Sequence, residues 1–300
     1  MAANRDRAAL IRAATLAAVE QRNQLGDQSA QDLLDTYGEA AKAIAEHIQR
    51  AAGQDDRVGL ERLQNVLAHV RAELRRLQER RDGQLYRLIE QSARLGADVF
   101  AGALPESTLF AVNHSAVAFV RSFTAADGLQ LSDRLWRLNR NAAQVLTDHI
   151  QFAVINGESA HQAMLHSMGR GEGVPADIAS AYNGARGGNL GRRVRSLMTG
   201  EADPVNGKGV VYQAERVFRT EINRAHGEAY MGAAFQTDGV VGVRFRLSPN
   251  HRVHDVCDNH AHADLYGLGP GVYPDRARCP WPAHPNTLSY VEVTFGMQDE

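Results

Sequence analysis

The sequence predicts a mainly α protein with a small C-terminal α+β domain: long N-terminal helices, and a short antiparallel sheet near the C-terminus. Three observations predict it. No proline precedes Pro105, and the chain up to that point is dominated by Ala, Leu, Arg, Gln and Glu, all good helix formers. Leucines recur at spacings of mostly three or four between Val58 and Leu95. Near the C-terminus two short segments switch to apolar alternation at period two, the signature of a strand with one buried face.

Bulk properties narrow the function classes. At roughly 150 residues per domain, 300 residues suggest about two units. A net charge of -2 does not advertise a nucleic-acid binder. The basic residues are almost all arginine, since lysine occurs only at Lys42 and Lys208. Two cysteines, Cys257 and Cys279, exclude a disulfide framework; one bridge, a metal site or inert thiols remain open. No apolar run approaches the roughly 20 residues of a membrane span. The N-terminus interrupts its apolar positions with Arg and Glu, unlike a signal peptide. The expectation is a soluble protein made in the cytoplasm, with no membrane partner.

In chain order, Ser29 with Asp32 predicts a helix N-cap followed by an acid in the first turn. The stretch from Gly53 to Gly59 separates that helix from the next. Leu60, Leu63, Leu67, Val70, Leu74, Leu77, Leu85, Leu88 and Leu95 then form one stripe, with Arg71, Glu73, Arg75, Arg76, Glu79, Arg80 and Arg81 between them. Such a stripe suits a bundle core or the docking of a partner helix. Pro105 opens a helix reaching about Phe123, and Asp127-Gly128 marks a turn. Another helix runs from about Ser132 to Ile155, and Ser159 with Gln162 forms a capping-box pattern after it.

Residues 169–209 are rich in glycine and read as a hinge between a helical region at 1–168 and a C-terminal domain at 210–300. This hinge carries a basic cluster, Arg186, Arg192, Arg193 and Arg195. A solvated loop accounts for it; so does contact with DNA phosphates or an acidic partner. From Gly209 to Gln236 the pattern is a long amphipathic helix, with Val210, Val217, Ile222, Ala225, Ala229 and Ala233 toward a core. Val241, Val243, Phe245 and Leu247 define one strand, and Val291, Val293 and Phe295 another. Their pairing would bring Glu292 near Arg244 or Arg246.

The connection from Ser248 to Leu288 is far longer than an ordinary loop. It holds both cysteines and five of the chain's 12 histidines: His251, His254, His260, His262 and His284. Zinc takes four thiolate or imidazole ligands at tetrahedral corners and can substitute for a core in a loop-rich segment. His254, Cys257, Cys279 and His284 are the candidate ligands of a structural zinc, with His260 an alternative to His254. His254 and Cys257 would share one face of a short helix. A loop held by prolines and hydrogen bonds around buried free thiols is the plainer reading. His254, Asp255, Asp258 and Asn286 also supply the residue types of a metal-dependent nuclease, and Cys257 with a histidine those of a nucleophile pair. No phosphate loop, nucleophile elbow or dinucleotide fingerprint is present.

A helix carrying RTEINRAHGEA, a strand ending at LSP, then HDVCDNHAHADLYGLGPGVYP, then PAHPN before a final strand, resembles the Mu F-like phage head morphogenesis family of minor head proteins. The similarity covers about Val210 to Phe295, and Arg219-Thr220-Glu221 and His284-Pro285 are its most specific parts. Family members often end the loop with HP-x-C-x-C; here Thr287 and Ser289 stand where those cysteines would fall. The resemblance implies a portal-associated minor head protein, located in the virion head and in host cytoplasm during assembly. Its implied partners are the portal protein, capsid or scaffolding protein, and viral DNA, with an influence on packaging or ejection. Enzymatic activity is not part of what it implies.

Overall fold

A computed structural model describes residues 2–52, 58–125, 127–155, 194, 196–197 and 209–296. Among these, six helices and three strands follow in order: α1 (Ala2–Ala51), α2 (Leu60–Asp98), α3 (Glu106–Ser122), α4 (Leu131–Ile155), α5 (Val210–Ala234), β1 (Val240–Arg246), α6 (Val256–His262), β2 (Val272–Tyr273) and β3 (Tyr290–Phe295). The protein is mainly α with a small antiparallel sheet near the C-terminus, as the sequence predicts. The Ser159–Gln162 capping box and the cluster Arg186, Arg192, Arg193 and Arg195 lie outside the described residues.

The chain divides into two units that interleave along the sequence. One gathers Met1–Ser29, Leu85–Leu131 and Arg216–Glu300; the other gathers Ala30–Gln84 and the described part of Ser132–Glu215. The divisions at 168/169 and 209/210 are therefore not the edges of these units. The C-terminal segment shares a unit with helices from the front of the chain.

Helix α1 runs unbroken through Ser29, so the expected cap and break there are corrected. Ser29 is fully buried and its hydroxyl donates to the Gly26 carbonyl at 2.7 Å. A hydroxyl satisfied inside the helix has no reason to end it.

In the second unit, α1 and α2 lie antiparallel. Gln84 reaches Asp32, Arg80 pairs with Glu39 at 2.6 Å, and Arg62 donates to the Ala51 carbonyl. The stripe on α2 is core. Leu63, Leu67, Val70, Leu77 and Leu85 are buried, and Leu74, Leu88 and Leu95 are half-buried. One residue read as part of its polar flank is not: Arg81 is fully buried, pairs with Asp82 at 2.5 Å and reaches the Tyr37 hydroxyl.

The first unit is organised around α5, and its burial differs from the amphipathic expectation. Every residue from Thr220 to Met231 is buried, including Glu221, Asn223, Arg224, His226 and Glu228. A helix sheathed on all sides must draw its polar partners from the protein, and α5 finds most of them, though Asn223 Oδ1 and His226 Nε2 are buried without a hydrogen-bond partner among the described residues. Ser92 of α2 donates to the Ile222 carbonyl at 2.8 Å, and Arg224 pairs with Glu221 at 2.9 Å and lies over the Phe123 ring. The Tyr230 hydroxyl ties three elements together. It meets Thr15 of α1 at 2.9 Å, whose own hydroxyl donates to the Ile11 carbonyl, and it accepts from the Val293 N–H of β3 at 3.0 Å. Two glycines permit the closest approaches. A Cβ at Gly96 would fall 2.2 Å from the His226 carbonyl oxygen, and one at Gly227 1.8 Å from the Trp281 indole nitrogen.

The sheet has the order β2-β1-β3, antiparallel throughout. Val243 and Phe245 face the core opposite Val293 and Val291. The expected inward face is corrected at three positions: Val241 is exposed, and Leu247 and Phe295 are half-buried. Between Val240 and Gly242 the register with β3 shifts by one residue, so Val241 is the extra residue of a bulge and drops out of the alternation. The anticipated charge pair forms, with Arg246 Nε 2.6 Å from Glu292.

Candidate functional site

The excursion between β1 and β3 is fastened at each stage. Val272 and Tyr273 add a short third strand to β1, which the sequence reading did not contain. Trp281 donates its indole N–H to the Asn223 carbonyl at 3.2 Å, and the Asn223 amide donates to the Thr287 carbonyl. Arg22 of α1, itself buried, reaches the carbonyls of Leu288 and Ser289, both at 3.3 Å. Burial with only neutral partners pushes its guanidinium down to about 9. Arg276 pairs with Glu228. Burial raises the Glu228 carboxyl to about 6 against the pull of Arg276 and Arg224.

Within the excursion the polar residues collect at the start of α6. Asp255 is its N-cap, accepting from the Cys257 N–H at 2.7 Å, and Asp258 closes a capping box by accepting from the Asp255 N–H at 2.8 Å. His251 Nε2 lies 2.8 Å from the same Asp258 carboxylate, and His284 Nε2 lies 3.2 Å from Asp255. The backbone bond from Asp255 and the His251 contact hold the Asp258 carboxyl down at about 2. Asp255 is lowered too: its hydrogen bonds from Cys257 and its two histidine neighbours outweigh desolvation.

Two sets of ligand atoms among the described residues lie within 4.8 Å of one another: Asp255, Cys257 and His284, and His251, Asp255 and Asp258. The expected zinc set is therefore corrected. Cys257 and His284 come together, but His254 and Cys279 join neither set. His254 sits before the N-cap, not on the helix, and its side chain is 80% exposed. Cys279 is buried in the turn before Trp281, where desolvation and the nearby Glu228 push its thiol up to about 12. His260 stacks edge-on against Phe245 instead of joining a ligand set.

The four residues expected to hold a structural zinc do not fit one. The donors that do converge are already engaged with each other. Burial raises the Cys257 thiol, which meets the Thr287 hydroxyl at 3.5 Å and lies near Ser289. Both cysteines are free thiols. The nuclease set is likewise dispersed in role. Asp255 and Asp258 serve the cap, His254 is solvated, and Asn286 takes a left-handed turn conformation at φ 63°. The Asp255-x-x-Asp258 spacing was the readable signal of the cap, since an acid at N-cap and another at N3 make the box.

No family model, curated protein or solved structure matches the chain.

Proposed function

We propose that the chain is a minor head protein of a tailed phage, acting in head morphogenesis beside the portal protein and affecting DNA packaging or ejection. The reading rests on the resemblance over Val210–Phe295. One structural observation supports it. The elements of the segment are tied to one another, with α5 leading into β1, β1 paired to β3, and the excursion pinned to α5 by Trp281 and Asn223. Asp255 and Asp258 cap a helix and meet histidines, which favours a structural role over catalysis. Portal and capsid or scaffolding protein are the proposed partners, and the virion head the proposed location. Arg186, Arg192, Arg193 and Arg195 are the proposed contacts to viral DNA, a role that steep weakening of duplex binding with salt would support.

The test is incorporation. Procapsids assembled with and without the portal protein are purified and probed for this chain. It is expected in the first and missing from the second. Absence from both, or equal amounts in both, rejects the portal-associated reading. One grouping, His251 with Asp255 and Asp258, favours a second reading as a metal-dependent nuclease. Plasmid cleavage with magnesium, manganese or zinc, lost in His251→Ala and Asp258→Ala, would support it, and no cleavage with any metal removes it.

A further inference from the structure

We propose that the first unit holds a binding site for a small organic phosphate, in the concavity between α1 and the arginine-bearing face of β1. The cavity measures about 640 Å³, a volume typical of ligand clefts and larger than inorganic phosphate needs. Arg12 of α1, Arg244 and Arg246 of β1, and Tyr290 and Glu292 of β3 line it.

The charge at this site is unbalanced. Glu292 is the one carboxylate among its described lining residues, and it is committed twice, to Arg246 at 2.6 Å and to Arg12 at 3.6 Å. Arg244 stands directly across the ladder from Glu292, yet the carboxylate turns to Arg246 instead. Among the described residues Arg244 is left with no carboxylate, and its Nε is buried without a hydrogen-bond partner. A buried N–H without a partner is costly, the residue as a whole is only half-buried, and a planar fork of donors suits phosphate oxygens held bidentately. Three guanidiniums against one carboxylate leave two positive charges, which matches the charge of about -2 on a phosphate monoester at neutral pH. Leu16, Leu247 and Pro270 add an apolar wall for the organic part of the ligand.

Isothermal titration of the full chain with phenyl phosphate and with AMP tests this, with phenol, adenosine and benzoate as controls. At least one phosphate is expected to bind, while the uncharged controls do not. Arg244→Gln is expected to weaken that binding at least tenfold, and Arg12→Gln, on the exposed rim, to weaken it less. Circular dichroism verifies that each variant is folded. If Arg244→Gln does not fold, the loss in Arg12→Gln decides. The proposal fails if neither phosphate binds, if benzoate binds as tightly as phenyl phosphate, or if no folded arginine variant weakens binding.

Discussion

At the scale of single residues, the buried polar groups of α5 make the sharpest predictions. His226 is fully buried beside Arg22 and stacked on Tyr230, and desolvation holds it well below its ordinary 6.5. The folded protein keeps it neutral, while the unfolded chain takes up a proton below about 6.5. Its contribution is therefore present above that pH and lost as pH falls, by up to about 1.4 kcal/mol per unit. Glu228 acts in the opposite sense. Its folded value of about 6 exceeds the ordinary 4.5, so stability falls by about 2 kcal/mol as pH rises between them. Denaturant unfolding of the wild type and of His226→Gln across pH 4.5–7 separates the two. The variant should gain stability on acidification where the wild type is flatter; identical profiles would show that His226 titrates alike folded and unfolded. Gly227→Ala should cost several kcal/mol, because its Cβ would collide with the rigid, buried Trp281 ring. A midpoint shift under 1 kcal/mol would mean that the indole moves aside freely.

The Cys257 neighbourhood carries a third prediction. Thr287 lies 3.5 Å from the thiol, close to the about 3.8 Å that separates two sulfurs on one tetrahedral zinc. Thr287→Cys with Ser289→Cys should create a site with Cys257 that takes up about one zinc per chain, measured on purified protein. The wild type should keep its melting temperature in chelator. A zinc-free double variant would contradict the shared geometry.

At the scale of elements, periodicity was legible and its interruptions were not. The two period-two runs became β1 and β3 because Val243 and Phe245 meet Val293 and Val291 in the one register that holds from Gly242 to Arg246. The bulge at Val241 was invisible, since a one-residue slip depends on the partner strand. β2 was invisible for a related reason. Two residues, Val272 and Tyr273, carry no period, and only their contact with β1 makes them a strand. Ser29 and Arg81 misled in the same way, because a polar residue satisfied inside a helical unit reads like one at its surface. The metal set failed because ligand types crowded in sequence do not fix where each side chain points; only Cys257 and His284 converge. For α2, the stripe as core predicts that Leu67→Ala costs about 2–5 kcal/mol in unfolding experiments, given its near-complete burial. Little or no cost would return the stripe to the role of an exposed docking seam.

At the scale of the whole molecule, the chain order conceals how the units are made. The segment from Arg216 onward shares its unit with Met1–Ser29 and Leu85–Leu131, and Arg22, Thr15 and Ser92 all supply partners to it. The resemblance over Val210–Phe295 therefore concerns a module whose polar core is completed by helices from the front of the chain. If the proposed role is right, this composite unit is what assembles at the head. Electron cryomicroscopy of heads carrying a tagged chain tests that most directly. Tag density at the single portal-bearing vertex is the predicted result; density spread evenly over all vertices, or missing from heads altogether, would contradict it.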